Sequence, residues 1–301
     1  MATVNELSRA DDKRTLWRSF SVGKLHQRSP LATVLTYVLM IALAGVFLYP
    51  LIWMASSSVR SLEEIAKAGL NLVPQVWRFD NYTTVFNSFP FFVYLKNSVI
   101  TTVIPIFATT ISSSLVAFAF ARMRVPGRNF LFVCVLATMF LPGEVTIIPN
   151  FILFRNLGMI NTLYPLIIPA FFGSPFFIFL LRQFYAALPK SLEEAAIIEG
   201  ASMFQIWWKI FLPLSKPALV AVGVLIFMGR WNDFFGPLIY VNSDKWKTLA
   251  VGLAGFQNEH SVQTNLLMAA TILMILPCIL LFFFAQRAFV EGVTFTGSKE
   301  G

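Results

Sequence analysis

Charged residues, histidine and cysteine are all scarce in this sequence. Asp, Glu, Lys and Arg make up 13% of the 301 residues, whereas 57% are hydrophobic. The two histidines, His26 and His260, and the two cysteines, Cys134 and Cys278, give no zinc-ligand spacing. We therefore expect no metal site, and we interpret both cysteines as packing residues because they lie in apolar runs.

Two catalytic signatures are also missing. The sequence has no Gly-x-x-x-x-Gly-Lys-Ser/Thr loop, so the chain cannot bind ATP by that route. An intramembrane enzyme would need a nucleophile–base pair or a metal cluster at membrane depth, and two histidines in a terminal tail and a loop cannot supply one. We therefore expect a chain that is not an enzyme.

Long hydrophobic runs predict an all-α, polytopic membrane protein with six transmembrane helices. A mean hydropathy of +0.71 is too high for an ordinary soluble domain, and about 20 apolar residues suffice to cross a bilayer. The predicted spans are residues 31–59, 98–121, 129–154, 162–181, 218–240 and 264–286.

Positive charges indicate the orientation of these spans. The segments predicted to lie inside carry 15 Lys and Arg residues, the loops predicted outside carry seven, and Arg230 falls within a span. Cytoplasmic segments are enriched in Lys and Arg. We therefore predict cytoplasmic tails at 1–30 and 287–301 around a transmembrane domain at 31–286. The net charge of +8 does not indicate a nucleic-acid partner, because no basic stripe with interleaved stacking residues is present.

Prolines interrupt two of the predicted spans. The third is broken by Pro-Gly-Glu at 142–144, and the fourth holds Pro165, Pro169 and Pro175. Proline removes a helix hydrogen bond, so neighbouring groups must satisfy the freed carbonyls at membrane depth. Broken helices at this depth favour a transport pathway.

A polar segment at 184–217 separates the fourth and fifth spans and is predicted to be a cytoplasmic loop with two short helices. Ser-x-x-Glu at 191–194 and Ser-x-x-Gln at 202–205 each form the capping pattern of a helix start. Gly200 separates the helices, because glycine adopts the left-handed turn at a helix end. Pro213 ends the second helix.

The loop contains a spaced set of residues that resembles a family motif. It reads Glu194-Ala195-Ala196, three residues, Gly200, nine residues, Ile210-x-Leu212-Pro213. This pattern is similar to the cytoplasmic EAA loop of permease subunits in binding-protein-dependent ABC importers, at every fixed position and both spacings. The resemblance implies coupling to an ATPase through Glu193, Glu194, Ala195, Ala196, Gly200, Ile210, Leu212 and Pro213.

Other segments resemble the second permease of carbohydrate importers, the class of the maltose-system permease. They are Ala-Phe-Ala-Arg at 119–122, Pro-Gly-Arg at 126–128, Trp-Asn-Asp-Phe at 231–234, Pro-Leu at 237–238 and the tail from Gln286. The resemblance covers roughly residues 31–301. It implies the MetI-like fold of a type I importer permease.

The resemblance also implies an assembly. Its partners would be a second homologous permease, two ATP-binding subunits, an extracytoplasmic solute-binding protein, the lipid bilayer and a carbohydrate substrate. This chain would bind no cofactor, since ATP and Mg²⁺ would lie on the ATPase subunits. It would be a multi-pass protein of the cell (inner or plasma) membrane that couples but does not catalyse.

Charges at membrane depth are costly and usually face a bundle interior or water. One hypothesis is that Glu144, Arg230, Asn232 and Asp233 line the translocation path. The alternative is that Arg230 and Asp233, three residues apart, merely neutralise each other.

By analogy with related permeases, Phe256, Gln257 and Asn258 in the last external loop are expected to contact the binding protein. The sugar stays open, from oligosaccharides to glycerophosphate compounds. The rival function is a stand-alone secondary transporter or channel, which would need coupling-ion carboxylates and no partner-binding loop.

Overall fold

The computed structural model describes residues 30–67, 69, 71–259 and 263–297, with side chains described within 31–255 and 263–286. The predicted tail at 1–30 lies outside the described residues except for Pro30. The chain divides into two compact units, Met1–Met54 and Ala55–Gly301. In the first unit, the described residues belong to one long helix whose apolar side chains are exposed.

All regular structure in the described residues is helical, which confirms the predicted all-α class. The helices are α1 (Pro30–Ser57), α2 (Leu62–Lys67), α3 (Asp80–Ser88), α4 (Phe91–Arg122), α5 (Arg128–Ala137), α6 (Gly143–Asn156), α7 (Tyr164–Ile167), α8 (Pro175–Ala187), α9 (Ser191–Ile198), α10 (Met203–Ile206), α11 (Leu212–Leu214), α12 (Lys216–Trp231), α13 (Phe235–Tyr240), α14 (Leu249–Glu259) and α15 (Thr264–Gly297). A 3₁₀ turn, Thr138–Phe140, follows α5, and another, Ile168–Phe172, follows α7; a π-helical turn, Trp207–Phe211, joins α10 to α11.

The described helices allow the predicted number of six spans, but the pair counted as the fifth span includes Met203–Leu214, a segment predicted to lie in the loop at 184–217. Within the described residues, four helices are long and apolar enough to cross a bilayer, and the number reaches six if each of two bent pairs is one span. One pair, Arg128–Phe140 with Gly143–Asn156, bends by 98°, and the other, Met203–Leu214 with Lys216–Trp231, bends by 79°. The first bend lies at the Pro-Gly-Glu predicted to interrupt the third span.

Helix α4 is the centre of the second unit, where it packs against α8 and α12. Its exposed face carries large apolar side chains at every fourth position: Val99, Val103, Phe107, Ile111 and Leu115. Its opposite face buries small polar residues such as Thr102, Ser113 and Ser114. Lipid gives no hydrophobic drive for helices to associate, so small side chains that allow close approach and hydrogen bonding favour this arrangement.

The fourth predicted span is broken, as its prolines predict, and side chains of α4 form hydrogen bonds with backbone groups at the break. After α7 the chain forms the 3₁₀ turn Ile168–Phe172 and then restarts as α8. The Thr109 hydroxyl donates to the Ala170 carbonyl at 3.2 Å, and the Ser174 N–H donates to Ser113 Oγ at 3.0 Å. Neighbouring hydroxyls therefore replace the lost helical hydrogen bonds inside an apolar region.

Several helix ends differ from the predicted span limits. Helix α4 begins at Phe91 rather than 98, α8 continues to Ala187 rather than 181, and α15 continues to Gly297 rather than 286. The external loop predicted at 241–263 also contains α14. Hydropathy marks the apolar thickness of a bilayer, whereas a helix can continue beyond it.

Candidate functional site

Helix α9 lies in the predicted coupling loop and ends in a Schellman motif. The Gly200 N–H donates to the Ile197 carbonyl and the Ala201 N–H donates to the Ala196 carbonyl, both at 2.9 Å. Gly200 has a φ of +80°, a left-handed conformation that glycine adopts without a Cβ penalty. The prediction that Gly200 separates two short helices is confirmed.

The two predicted capping patterns have different outcomes. Ser202 and Gln205 form a full capping box, with the Gln205 N–H donating to Ser202 Oγ at 3.3 Å and the Ser202 N–H donating to Gln205 Oε1 at 2.8 Å. The prediction for Ser191 and Glu194 is wrong. Ser191 is already the first helical residue, and Lys190 takes the cap position without a side-chain hydrogen bond. A cap acts from the non-helical residue before the helix.

The residues predicted to couple to an ATPase fall on two faces of the loop. Ala196 is buried in a cluster formed with α4, α8 and α12, and Ile210 and Leu212 pack against that cluster. The exposed members are Glu194, Ala195, Gly200 and Pro213. One face of the loop is therefore fixed to the bundle and the other is accessible.

The accessible side of the loop carries large apolar side chains among polar ones. Ile198 is 86% exposed, Phe204 61% and Trp208 51%, and Leu192 and Ile197 are also exposed. Large exposed apolar patches mark protein–protein or membrane interaction sites. We call Leu192, Ile197, Ile198, Phe204 and Trp208 the exposed apolar face.

Glu193 faces the bundle and not the accessible side. Its carboxylate oxygen Oε2 lies 3.8 Å from Nη1 of Arg122, and Glu193 is half-buried. Arg122 Nη2 also donates to the Tyr185 and Leu188 carbonyls, both at 2.6 Å. Sequence reasoning missed this role of Arg122, because a positive charge at the end of a span is read as a sign of orientation.

The structure places three of the four predicted path residues on one turn, where α12 ends. The Asn232 side-chain amide donates to the Met228 carbonyl at 2.8 Å. The Asp233 carboxylate accepts from the Gly236 N–H at 3.0 Å, so it caps the start of α13. A carboxylate at a helix start is stabilised by the free N–H groups there.

Arg230 and Glu144 differ from the capped Asp233. Within the described residues, no Arg230–Asp233 ion pair forms within 4.0 Å and the Arg230 guanidinium makes no hydrogen bond, but the Asp233 carboxylate still acts on it electrostatically, so mutual neutralisation stays open. Glu144 is exposed in the first turn of α6. The described hydrogen bonds and ion pairs do not bring Glu144 to the α12 end, so its place on a shared path stays a prediction.

The loop before α14 is anchored by polar side chains of α4. The Asn97 side-chain amide donates to the Lys245 and Lys247 carbonyls at 3.0 and 2.8 Å. The Leu249 N–H donates to Ser98 Oγ at 2.8 Å, at the start of α14. This loop is therefore built into the bundle.

Tyr94 completes this anchor. Its hydroxyl donates to Asp244 Oδ1 at 3.2 Å. Hydrogen bonds from Lys247 and then from Tyr94 hold the pKa of the Asp244 carboxyl below its usual value. The predicted binding-protein contacts, Phe256, Gln257 and Asn258, follow on α14, but their side chains lie outside the described residues.

Among the described residues, no group of three or more His, Cys, Asp or Glu side chains could hold a metal ion. The expectation that ATP and Mg²⁺ lie on partner subunits stays a prediction.

Known proteins resemble this chain over most of its length. The arabinooligosaccharides transport system permease protein AraQ of Bacillus subtilis is 34% identical over 260 residues, covering 85% of this chain and 92% of its own. The sn-glycerol-3-phosphate transport system permease protein UgpE of Salmonella typhi is 33% identical, covering 87% and 95%. A crystal structure of a bacterial ABC transporter that imports the acidic polysaccharide alginate matches with a TM-score of 0.75 and 26% identity, covering 86% of this chain and 98% of the other.

The family described as binding-protein-dependent transport system inner membrane component matches residues 113–295. That segment contains the Gly200 turn, the exposed apolar face and the α12 end. It exceeds half of the chain, and the relatives above match far beyond it on the N-terminal side. The chain therefore belongs to the family of binding-protein-dependent transport system inner membrane components.

Proposed function

We propose that this chain is a non-catalytic permease subunit of an ATP-driven importer of carbohydrates or their derivatives. It pairs with a second homologous permease and with two ATP-binding subunits, which hold ATP and Mg²⁺. It receives its solute from an extracytoplasmic binding protein, and both of its termini are cytoplasmic. The names of AraQ and UgpE and the alginate importer support this solute class, while the sugar itself stays open.

The observation that carries this proposal is the two-sided geometry of the predicted coupling loop. Ala196 fixes α9 to the bundle, whereas Ile198 on the same short helix is almost fully exposed. An ATPase cleft that covers the exposed apolar face would bury these side chains. Displacement of α9 would then be passed to α4, α8 and α12, on which the buried face rests.

Energy enters this importer through differential binding. A closed ATPase dimer shifts the permease toward one conformation only if it binds that conformation more tightly. The chain needs no catalytic group of its own for this step. A stand-alone secondary transporter would have no use for the exposed apolar face.

Affinity purification of the tagged chain from native membranes tests the assembly. Wild type is compared with Gly200→Asp, and the recovered proteins are identified by mass spectrometry. We expect wild type to bring a second permease, an ATPase and a solute-binding protein, and the variant to lose the ATPase. A chain that is recovered alone and supports gradient-driven, vanadate-insensitive uptake would instead be a secondary transporter.

The same complex tests the translocation path. Arg230→Ala and Glu144→Gln each remove one charge and leave the backbone of their helices unchanged. Uptake is measured with the ligand extracted from the recovered binding protein. We expect Arg230→Ala to lower uptake while the complex assembles normally, because the Arg230 guanidinium makes no described hydrogen bond and interacts with Asp233 only electrostatically, which leaves its N–H donors available to a solute. Wild-type uptake by both variants would remove these residues from the path.

A further inference from the structure

A buried hydrogen-bonded network lies where the coupling loop meets the membrane bundle. We define the coupling-end network as Ser114 on α4, Tyr185 on α8, Trp207 in the π-helical turn and Ser215 between α11 and α12. Trp207 is 2% exposed and the other three are fully buried. The network therefore joins four different elements out of contact with water.

The distances form a continuous chain of contacts. Trp207 Nε1 lies 3.0 Å from Ser114 Oγ, and Ser114 Oγ lies 2.6 Å from the Tyr185 hydroxyl. The Tyr185 hydroxyl lies 3.4 Å from Ser215 Oγ, which in turn donates to the Phe211 carbonyl at 2.7 Å. Tyr185 occupies the middle of this chain.

The hydrogen-bond donors available to these four side chains give the series of hydrogen bonds a direction. Indole N–H is a donor only, and each hydroxyl carries a single hydrogen. Trp207 donates to Ser114, and Ser215 uses its hydrogen on the Phe211 carbonyl. One assignment then uses every hydrogen, with Ser114 donating to Tyr185 and Tyr185 donating to Ser215. Both ends of the chain rest on the π-helical turn, at Trp207 and at Phe211.

Arg122 also contacts α8, α9 and the π-helical turn. Besides its hydrogen bonds to the end of α8 and its approach to Glu193, its guanidinium lies 5.0 Å from the centre of the Phe211 ring. The Phe211 ring also packs edge-on against Tyr185 at 5.6 Å. The π-helical turn is thus fixed by hydrogen bonds, by a cation and by ring packing. Such turns often occur at functional sites.

We infer that Tyr185 is a positioning residue of the coupling step, acting through the π-helical turn. Its hydroxyl holds this turn against α4 and α8, so that displacement of the coupling loop moves these helices as one body. This inference rests on the proposed function. It differs from simple packing, because the ring alone would fill the same space without the hydroxyl.

The experiment uses the whole complex recovered through the tagged chain and reconstituted in liposomes. Tyr185→Phe keeps the ring and removes the hydroxyl, and ATP hydrolysis is measured with and without the binding protein recovered in the same purification. The matched control is Tyr164→Phe, because Tyr164 is exposed and its hydroxyl makes no hydrogen bond among the described residues. Melting temperature and ATPase content are recorded for each complex.

We expect Tyr185→Phe to retain the ATPase and its basal hydrolysis, but to lose about fivefold or more of the stimulation by the binding protein. Tyr164→Phe should respond like wild type. Ser114→Ala should reproduce the loss, and the double variant should be no worse than either single one, because residues that act as a unit are not additive. If Tyr185→Phe fails to assemble, Ser114→Ala decides the question alone.

Other outcomes separate this inference from the proposed function. Wild-type stimulation in Tyr185→Phe and Ser114→Ala would overturn the positioning role and leave the importer intact. A lowered melting temperature with unchanged stimulation would likewise assign the network to stability alone. Recovery of wild type without any ATPase would overturn the proposed function, and the inference with it.

Discussion

Gly200→Ala should weaken binding of the ATPase to this chain, because it strains the turn that follows α9. A Cβ at Gly200 would meet no atom within 4 Å, so the cost comes from the φ of +80° alone. A left-handed backbone costs an L-residue about 1–2 kcal/mol. A cost of this size changes the ratio of two loop conformations by roughly 5–30-fold. Gly200→Asn should be milder, since asparagine tolerates the left-handed region better.

Gly158 provides a matched control outside the coupling loop. It has a φ of +67°, and a Cβ there would also meet no atom within 4 Å. The same Schellman hydrogen bonds surround it, from the Gly158 N–H to Arg155 at 3.0 Å and from the Met159 N–H to Phe154 at 2.9 Å. Gly158→Ala should therefore cost the same stability without disturbing the exposed apolar face.

The assay compares both alanine variants with wild type at equal membrane levels. ATPase recovered with the tagged chain is quantified, and thermal melting of each complex reports the general cost. We expect similar melting shifts but a loss of ATPase only for Gly200→Ala. Equal losses of ATPase in the two variants would refute the reasoning, because the effect would then follow from stability and not from the position of α9.

Two further substitutions and one control test the packing that supports these sites. Gly252→Ala should lower stability by about 1–3 kcal/mol, because its Cβ would overlap the buried Tyr94 ring. Gly255→Ala, where a Cβ meets nothing, should leave thermal melting unchanged. Ser113→Ala should lower the free energy of unfolding by about 1–3 kcal/mol, because it leaves the Ser174 N–H unpaired. A denaturation series in detergent measures this loss. An unchanged midpoint would mean that water replaces the lost acceptor.

The transmembrane architecture could be predicted because its signal is local. A run of about 20 apolar residues has few alternatives to a membrane helix, and Pro142 and Pro169 mark the broken spans directly. Helix α14 could not be predicted this way. It is a short apolar segment outside the predicted spans, and its place depends on Asn97 and Ser98, about 150 residues earlier in the chain.

The predicted coupling loop likewise combines features set by neighbours in sequence with features set by distant residues. Gly200 and the Ser202 cap were predictable, because a left-handed turn and a capping box involve neighbours in sequence. The Ser191 prediction failed because the helix begins one residue earlier than expected. A Ser-x-x-Glu pattern does not distinguish the two starting points. The roles of Arg122 and Tyr185 depend on partners tens of residues away. The only sequence signal was a tyrosine in an apolar run, since a buried hydroxyl usually finds a hydrogen-bond partner.

Helix α4 connects the sites that sequence reasoning treated separately. At one end Asn97 holds the loop before α14, in the middle Ser113 satisfies the break before α8, and towards the other end Ser114 and Arg122 hold the coupling loop. At 1.5 Å per residue its 32 residues span about 48 Å. A continuous helix of that length transmits displacement along its axis, so movement of the coupling loop must either carry α4 with it or break the contacts at Ser114 and Arg122. The polar face of α4 thus connects the loop before α14, the break before α8 and the predicted coupling loop through one continuous helix.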